Sequence, residues 1–337
     1  MNKTLKNQYG LIKVIKYKIV IIKIGLSPYD NMFIAQGYKS KYSFWKYLVI
    51  PGTFIGMMIF QYFLIDFLNI DVNSIIQSEI EKKGSNQFLF ESLLTFAFAL
   101  GVLFFLVKYI HNQSIKSLTT SREKIDWKRV FFAFSLWATV TIVMVIIDYQ
   151  MSPENYVWNF ELNKFLGLAV IAIILVPLQT SFEEYLFRGY LMQGIGIAVK
   201  NRLVPLLVTS FIFGMMHIAN PEVEKIGYII MVYYIGTGLF LGIITLMDEG
   251  LELALGFHAA NNLITALLVT ANWTAFQTNS VLKDMSEPTA GIDVLIPVLV
   301  IFPILLFIFA KKYNWTNWKE KLTGKVLSEE AFLITGR

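Results

Sequence analysis

Residues 165–200 read FLGLAVIAIILVPLQTSFEEYLFRGYLMQGIGIAVK, an apolar stretch interrupted by two adjacent acids and one arginine. As a single α-helix this stretch would be roughly 54 Å long, whereas the hydrocarbon core of a bilayer is only about 30 Å thick. We therefore expect Pro177 to break or kink the helix. The stretch predicts helices embedded in a membrane, with ionisable groups among them.

The composition of the whole chain agrees with a membrane protein. It has 337 residues, of which 55% are hydrophobic and 16% are charged, and its mean hydropathy is +0.56. A soluble domain usually carries about a quarter charged residues, so there is too little polar surface here to coat a water-soluble globule. We predict an all-α fold, a polytopic bundle of about eight transmembrane helices. Because cysteine is absent, disulfides, thiolate metal sites and a cysteine nucleophile are excluded.

The apolar runs long enough for membrane helices are spaced along most of the chain. The predicted spans are 47–67, 88–107, 130–147, 165–182, 203–218, 226–247, 253–271 and 294–310.

Charge alternates between the connecting segments. Segments 68–87 and 148–164 are mainly acidic, whereas 108–129 and 311–325 are basic. Lysine and arginine concentrate on the cytoplasmic side of membrane proteins, so both termini are expected in the cytoplasm. Residues 1–46 are also basic and lack a small-residue cleavage site, which favours a segment lying on the inner membrane surface over a signal peptide.

Three ionisable residues follow Pro177 within one helix. Glu184 and Arg188 are four residues apart, the spacing and order of a favourable ion pair. Glu183 points about 100° away from them and is expected to lack a local partner. An unpaired carboxylate in an apolar setting is suited to act as a general base.

His217 is predicted to face Glu183. A turn near Lys200 would join two antiparallel helices, and each of these two residues lies 17 positions from that lysine. Equal arms of roughly 26 Å would bring the carboxylate and the imidazole to the same depth, where they could hold a water molecule.

The seventh predicted span supplies a third polar group. His258 and Asn262 are four residues apart and share one helix face, and together they could donate hydrogen bonds to an oxyanion. Elsewhere, the pair Gly238 and Gly242 predicts a close contact between helices. His111 is interpreted as an interfacial residue.

The three patterns together resemble a known family. Glu183-Glu184-x-x-x-Arg188, Phe213-x-x-x-His217 and His258-x-x-x-Asn262 are similar to the three motifs of the CPBP family, which comprises the type II CAAX prenyl endopeptidases and the bacterial Abi and bacteriocin-processing proteins. The resemblance implies a protease core at 165–275, preceded by three helices at 47–160 and followed by a last helix and basic tail at 276–337. It also implies a bacterial plasma-membrane protein.

The resemblance also implies residue roles. Glu183 would activate water held by His217, while His258 and Asn262 would stabilise the oxyanion. Arg188 would support the site, and Glu184 would support it or join the chemistry. Two alternatives remain for a cofactor, namely a divalent metal such as zinc on Glu183, His217 and His258, or a metal-free glutamate mechanism, which we favour.

The expected partners are membrane lipids and a peptide or membrane-protein substrate, such as a CAAX-like, leader or pheromone peptide, with no nucleic acid. Two other functions compete with proteolysis. One is a non-proteolytic scaffold or bacteriocin-immunity protein of the same family. The other is a transporter that uses buried charges as an ion relay, although no internal repeat is evident in the sequence.

Overall fold

The computed structural model describes residues 33–41, 43–288, 291 and 294–334. The predicted basic segment 1–46 therefore lies mostly outside the described residues. Its described end forms a buried 3₁₀ helix, Ile34–Lys39.

The described residues are mainly helical, as predicted. The helices are α1 (Phe44–Phe67), α2 (Val72–Lys83), α3 (Ser85–Tyr109), α4 (Ile115–Thr119), α5 (Trp127–Met151), α6 (Leu162–Glu184), α7 (Met192–Val199), α8 (Leu203–Met215), α9 (Pro221–Ile226), α10 (Ile230–Asp248), α11 (Glu252–Leu268), α12 (Phe302–Tyr313), α13 (Trp318–Thr323) and α14 (Glu329–Ile334). Two π-helical segments, Tyr185–Leu191 and Pro297–Ile301, precede α7 and α12.

Among the described residues, five helices are long and apolar enough to cross a membrane. They are α1, α3, α5, α10 and the continuous stretch Leu162–Val199. The predicted fifth, seventh and eighth spans correspond to the shorter helices α8, α11 and α12. A helix thus occurs at each of the eight predicted places, while the number that cross the bilayer stays a prediction.

The expectation that Pro177 ends or kinks the fourth span is wrong in one respect, because α6 continues through the proline to Glu184. Membrane helices tolerate proline where side-chain hydroxyls and local adjustments satisfy the backbone. Thr180 donates its hydroxyl to the carbonyls of Val176 and Pro177. The helix departs from α geometry later, in the π-helical segment Tyr185–Leu191.

The helices divide into lipid-facing and central ones. Only 6% of the most apolar window of α1 is buried within the protein, against 61% for α10. Large apolar side chains such as Trp45, Phe60 and Phe67 are exposed on α1. Such a surface is stable against lipid and not against water, so we treat the protein as an integral membrane protein.

Small residues allow the central helices to pack closely. A Cβ atom on Gly238 would lie 2.6 Å from the carbonyl oxygen of Ser210, which confirms the predicted close contact between α10 and α8. A Cβ atom on Gly256 would collide with the carbonyl oxygen of Val130, where α11 packs against α5. Backbones in contact at these glycines fix α11 in the centre of the bundle.

A three-stranded sheet, which the sequence analysis did not predict, covers one end of the bundle. Its strands are β1 (Tyr156–Trp158), β2 (Val269–Ala271) and β3 (Leu282–Asp284), in the order β1-β3-β2. β3 pairs antiparallel with β1 and parallel with β2. The sheet therefore ties the chain that follows α5 to the loop that follows α11.

The opposite end of the bundle is closed by ion pairs. Asp248 pairs with both Arg122 and Arg129, and Arg202 pairs with Glu249 at 2.9 Å. The other carboxylate oxygen of Glu249 accepts the backbone N–H of Phe33.

His111 is also at this end of the bundle, where it is buried and lies 2.7 Å from the Tyr190 hydroxyl. The interpretation of His111 as an interfacial residue is therefore wrong. The loop after α3 folds inward and pairs its imidazole with a buried tyrosine.

Candidate active site

The predicted ion pair between Glu184 and Arg188 is confirmed, and it lies fully buried next to His258. Arg188 donates a hydrogen bond of 3.0 Å to Glu184 Oε1 and another of 3.0 Å to the Gly238 carbonyl. Its guanidinium also lies 4.2 Å from the centre of the Phe213 ring. Both side chains are 0% exposed, so each charge depends on the other.

The Glu184 carboxylate also fixes the orientation of His258. Nδ1 of His258 lies 2.8 Å from Glu184 Oε1, the same oxygen that binds Arg188. An ionised carboxylate can only accept, so Nδ1 carries the proton of this hydrogen bond. Nε2 then points into the site, 3.6 Å from Glu183 Oε2.

Glu183 differs from the expectation of a carboxylate without a local partner. Gln179, one helical turn earlier on α6, donates a hydrogen bond of 2.5 Å to its Oε1 atom. Its Oε2 atom is buried and has no hydrogen-bond partner among the described residues. The Glu183 side chain is 13% exposed, whereas Glu184 is fully buried. Only the first of the two carboxylates therefore has access to open space.

His217 lies just beyond the end of α8, in the turn that leads to α9. Its Nδ1 atom is 2.9 Å from the Phe213 carbonyl, which can only accept, so Nε2 is left as the free nitrogen of the neutral ring. The imidazole stacks on Tyr234, with ring centres 4.4 Å apart. Phe213 contacts both His217 and His258, at 5.0 and 5.9 Å between ring centres.

Asn262 is joined to Glu183 through a shared glutamine. Asn262 Nδ2 donates to Gln179 Oε1 at 3.1 Å, while the amide nitrogen of Gln179 binds Glu183. Asn261 in turn donates to Asn262 Oδ1 and accepts from the indole N–H of Trp137. The chain of amides fixes which way the Asn262 side chain points, and its second N–H stays available.

A single cavity of about 630 Å³ brings the predicted residues together. Glu183, His217, His258 and Asn262 all line it. Glu184 and Arg188 are not among the lining residues and lie behind His258 and Phe213. The cavity is of the size that holds small molecules or short peptide segments.

Sequence reasoning missed Gln179 and Tyr234, which both line the cavity. Gln179 could have been found, because it lies four residues before Glu183 on the same helix face. Tyr234 could not, because its stacking on His217 depends on how α10 packs against α8.

The candidate metal ligands do not form a metal centre in this geometry. Among the described residues, no group of three or more histidine, aspartate or glutamate side chains is arranged to hold a metal ion. Each imidazole donates its Nδ1 proton to an oxygen, and His258 Nε2 faces Glu183 directly. We therefore derive the chemistry from the protein side chains alone.

The fold and site define an integral membrane protein that encloses carboxylates and imidazoles in a cavity among its helices. Comparison with known families matches residues 162–264 to the type II CAAX prenyl endopeptidase Rce1-like family. The uncharacterized protein YyaK of Bacillus subtilis (strain 168) is 31% identical over 231 residues, which cover 67% of this chain and 77% of YyaK. No solved structure matches the chain.

The chain belongs to the Rce1-like family of type II CAAX prenyl endopeptidases. The resemblance noted from the three sequence motifs is thereby confirmed. The family is one of membrane proteases, so lipids and peptides are the partners to be expected at this level.

Proposed function

We propose that the protein is an intramembrane endopeptidase in which Glu183 activates a water molecule. The observation that carries the proposal is the pair formed by Glu183 Oε2 and His258 Nε2, 3.6 Å apart on the wall of the cavity. Both atoms face open space, and Glu183 Oε2 lacks any other partner among the described residues. A water molecule beside them would meet an acceptor for its proton.

In the proposed reaction, Glu183 takes a proton from water and the hydroxide adds to the carbonyl carbon of the substrate. His217, whose Nε2 atom is free, holds the water in place. The C–N bond then breaks, and the leaving amine takes up the proton that Glu183 holds. The products are a new carboxylate and a new amine.

His258 and Asn262 stabilise the oxyanion in this proposal. The amide nitrogen of Asn262 uses one hydrogen on Gln179 and has a second to donate. His258 can donate from Nε2 when its ring is protonated, and the carboxylate of Glu184 on Nδ1 stabilises that cation. Donors that are held in place before the reaction are the effective ones, and the amide chain and the buried ion pair supply this order.

The substrates we propose are CAAX-like, leader or pheromone peptides. One wall of the cavity is apolar, with Phe54, Met58 and Phe96, and suits a hydrophobic side chain or lipid group. The polar residues of the opposite wall suit a peptide backbone. We further propose that the protein lies in a bacterial plasma membrane with both termini in the cytoplasm, since segments 108–129 and 311–325 are basic.

The test is replacement of the carboxylate that activates water. Glu183→Gln keeps the size of the side chain and its contact with Gln179 but removes the base. We expect cleavage of a peptide library by the purified protein in lipid vesicles to fall by a factor on the order of 10²–10⁴. In H₂¹⁸O, mass spectrometry of the wild-type products should show one ¹⁸O atom in each new carboxyl group.

Glu91→Gln is the matched control, because Glu91 is exposed on α3, pairs with Lys83 and does not line the cavity. It should cleave like the wild type. Full cleavage by Glu183→Gln would contradict the proposal. A wild-type protein that cleaves no peptide, with Glu183→Gln as active in a cellular assay, would instead support the non-proteolytic scaffold function.

A further inference from the structure

The two ends of the bundle differ in charge. Segments 108–129, 200–202 and 311–325 come together at one end, where Leu251 N–H binds the Thr119 carbonyl and Arg202 N–H binds the Gly324 carbonyl. All three segments are basic. Segments 68–87 and 148–164, which are mainly acidic, lie at the other end together with the three-stranded sheet. We refer to them as the basic end and the acidic end.

The cavity reaches only one of these ends. Its lining extends from Glu183 and His258 to Glu222 at the start of α9, Trp273 in the loop after β2, and Asp284 in β3. Each of these last three lies at the acidic end. Among the described residues, none of the cavity lining belongs to the segments that form the basic end.

The side of the site toward the basic end is filled. Every residue from Glu184 to Gly194 is buried, as the helix continues away from Glu183. Within this stretch Tyr190 approaches His111, and Gln193 binds Gln113 and the Ser117 carbonyl. The ion pairs of Asp248 and Glu249 close the basic end itself.

Unpaired polar atoms mark the acidic end of the cavity as a surface that receives a polar ligand. One carboxylate oxygen of Glu222 accepts the backbone N–H of Ala275, while the other is buried without a partner among the described residues. The indole N–H of Trp273 is also buried and unpaired there. Buried polar groups normally find partners, and a peptide segment entering here offers both donors and acceptors.

Lysine and arginine mark the cytoplasmic side of a membrane protein. We therefore infer that the cavity opens at the extracytoplasmic face, and that the substrate is a peptide segment that reaches Glu183 from outside the cytoplasm. The inference rests on the proposed function for the word substrate, but the direction of opening does not depend on catalysis. The acidic side chains Glu222 and Asp284 at the mouth favour segments that carry positive charge.

The chain has no cysteine, so single cysteines can report on each end. Glu224→Cys lies on α9 at the acidic end, Thr274→Cys lines the cavity mouth, and Lys124→Cys is exposed at the basic end. A membrane-impermeant maleimide on intact cells should label the first two. It should label Lys124→Cys only after the membrane is permeabilised.

Labelling of Lys124→Cys but not Glu224→Cys in intact cells would overturn the inference, because the basic end would then face outward. Labelling of Glu224→Cys without Thr274→Cys would also overturn it, because the mouth would then be closed to that side. Extraction of each variant as a single species in detergent shows that it is folded. Labelling needs no turnover, so a protein without protease activity would contradict the proposed function and leave the direction of opening intact.

Discussion

Glu184 and Arg188 form a charged pair that is fully buried beside a reactive histidine. Glu184 Oε1 accepts from both Arg188 and His258, so one oxygen connects the ion pair with the site. Removal of one member of a buried pair leaves an uncompensated charge, whereas removal of both members leaves none. The contribution of this pair can therefore be separated from its charge.

We predict that Arg188→Met lowers the free energy of unfolding by about 3–5 kcal/mol. The reason is that Glu184 loses its compensating charge in a buried place. Thermal unfolding in detergent micelles measures the effect. The double variant Glu184→Gln/Arg188→Met should recover much of the loss, and a single variant as stable as the wild type would contradict the prediction.

Glu222 gives a prediction on pH. Burial raises the pKa of this carboxyl above its ordinary value of 4.5, and the backbone N–H of Ala275 opposes the shift to a smaller extent. A raised pKa means that the folded state holds the proton more firmly, so this stabilisation is present below pH 4.5 and is lost as pH rises through the raised pKa.

Glu222→Gln keeps an acceptor for Ala275 but cannot ionise. We expect the unfolding temperatures of variant and wild type to be close near pH 4.5, and the variant to become the more stable of the two toward pH 8. Unfolding curves recorded across this range measure the difference. A difference that does not change with pH would contradict the argument.

At the scale of elements, Gly256 holds α11 against α5. Because a Cβ atom there would collide with the Val130 carbonyl, Gly256→Ala should push the two helices apart. Overpacking of this kind costs about 1–3 kcal/mol. Since α11 carries His258 and Asn262, we expect both a lower unfolding temperature and weaker cleavage.

Gly101→Ala is the control for this variant. Gly101 also lies within a long apolar helix, α3, but a Cβ atom there would meet nothing within 4 Å. Alanine is the better helix former by up to about 1 kcal/mol, so this variant should be as stable as the wild type or more stable. Equal effects of the two substitutions would contradict the role given to Gly256.

The elements also show which features a sequence can predict. Helical spacing was enough for Glu184, Arg188 and the two motif histidines, because residues three or four positions apart share a face. It was not enough for the path of the helix after Pro177, because satisfaction of the backbone depends on neighbouring groups. The small sheet was missed since its strands have three residues each and pair across more than a hundred positions.

The whole molecule is asymmetric in charge along the membrane normal, and this asymmetry gives a prediction on insertion. Glu81, Glu154 and Glu224 are exposed at the acidic end. We expect the triple replacement of these residues by lysine to produce a fraction of inverted molecules, because added lysines compete with the basic end for the cytoplasm. A cysteine at Lys124 would then become partly reactive from outside the cell.

The triple replacement by glutamine is the matched control for this experiment. It removes the same negative charges but adds no lysine, and acidic residues contribute little to orientation. Its orientation should therefore remain that of the wild type. Equal inversion in both triple variants would show that the loss of acids, and not the gain of lysines, acts on insertion.

The π-helical segment Tyr185–Leu191 has a consequence for the length of the chain. A π-helical turn amounts to an α-helix with one residue inserted. Deleting one residue there would restore ordinary winding, but it would also rotate everything that follows by about 100° relative to what precedes it. The two acids come just before this segment, and Gln193, which anchors the helix to the loop after α3, comes just after it. A one-residue deletion would thus put the acids and their anchor out of phase, even though no side chain of the site had been changed.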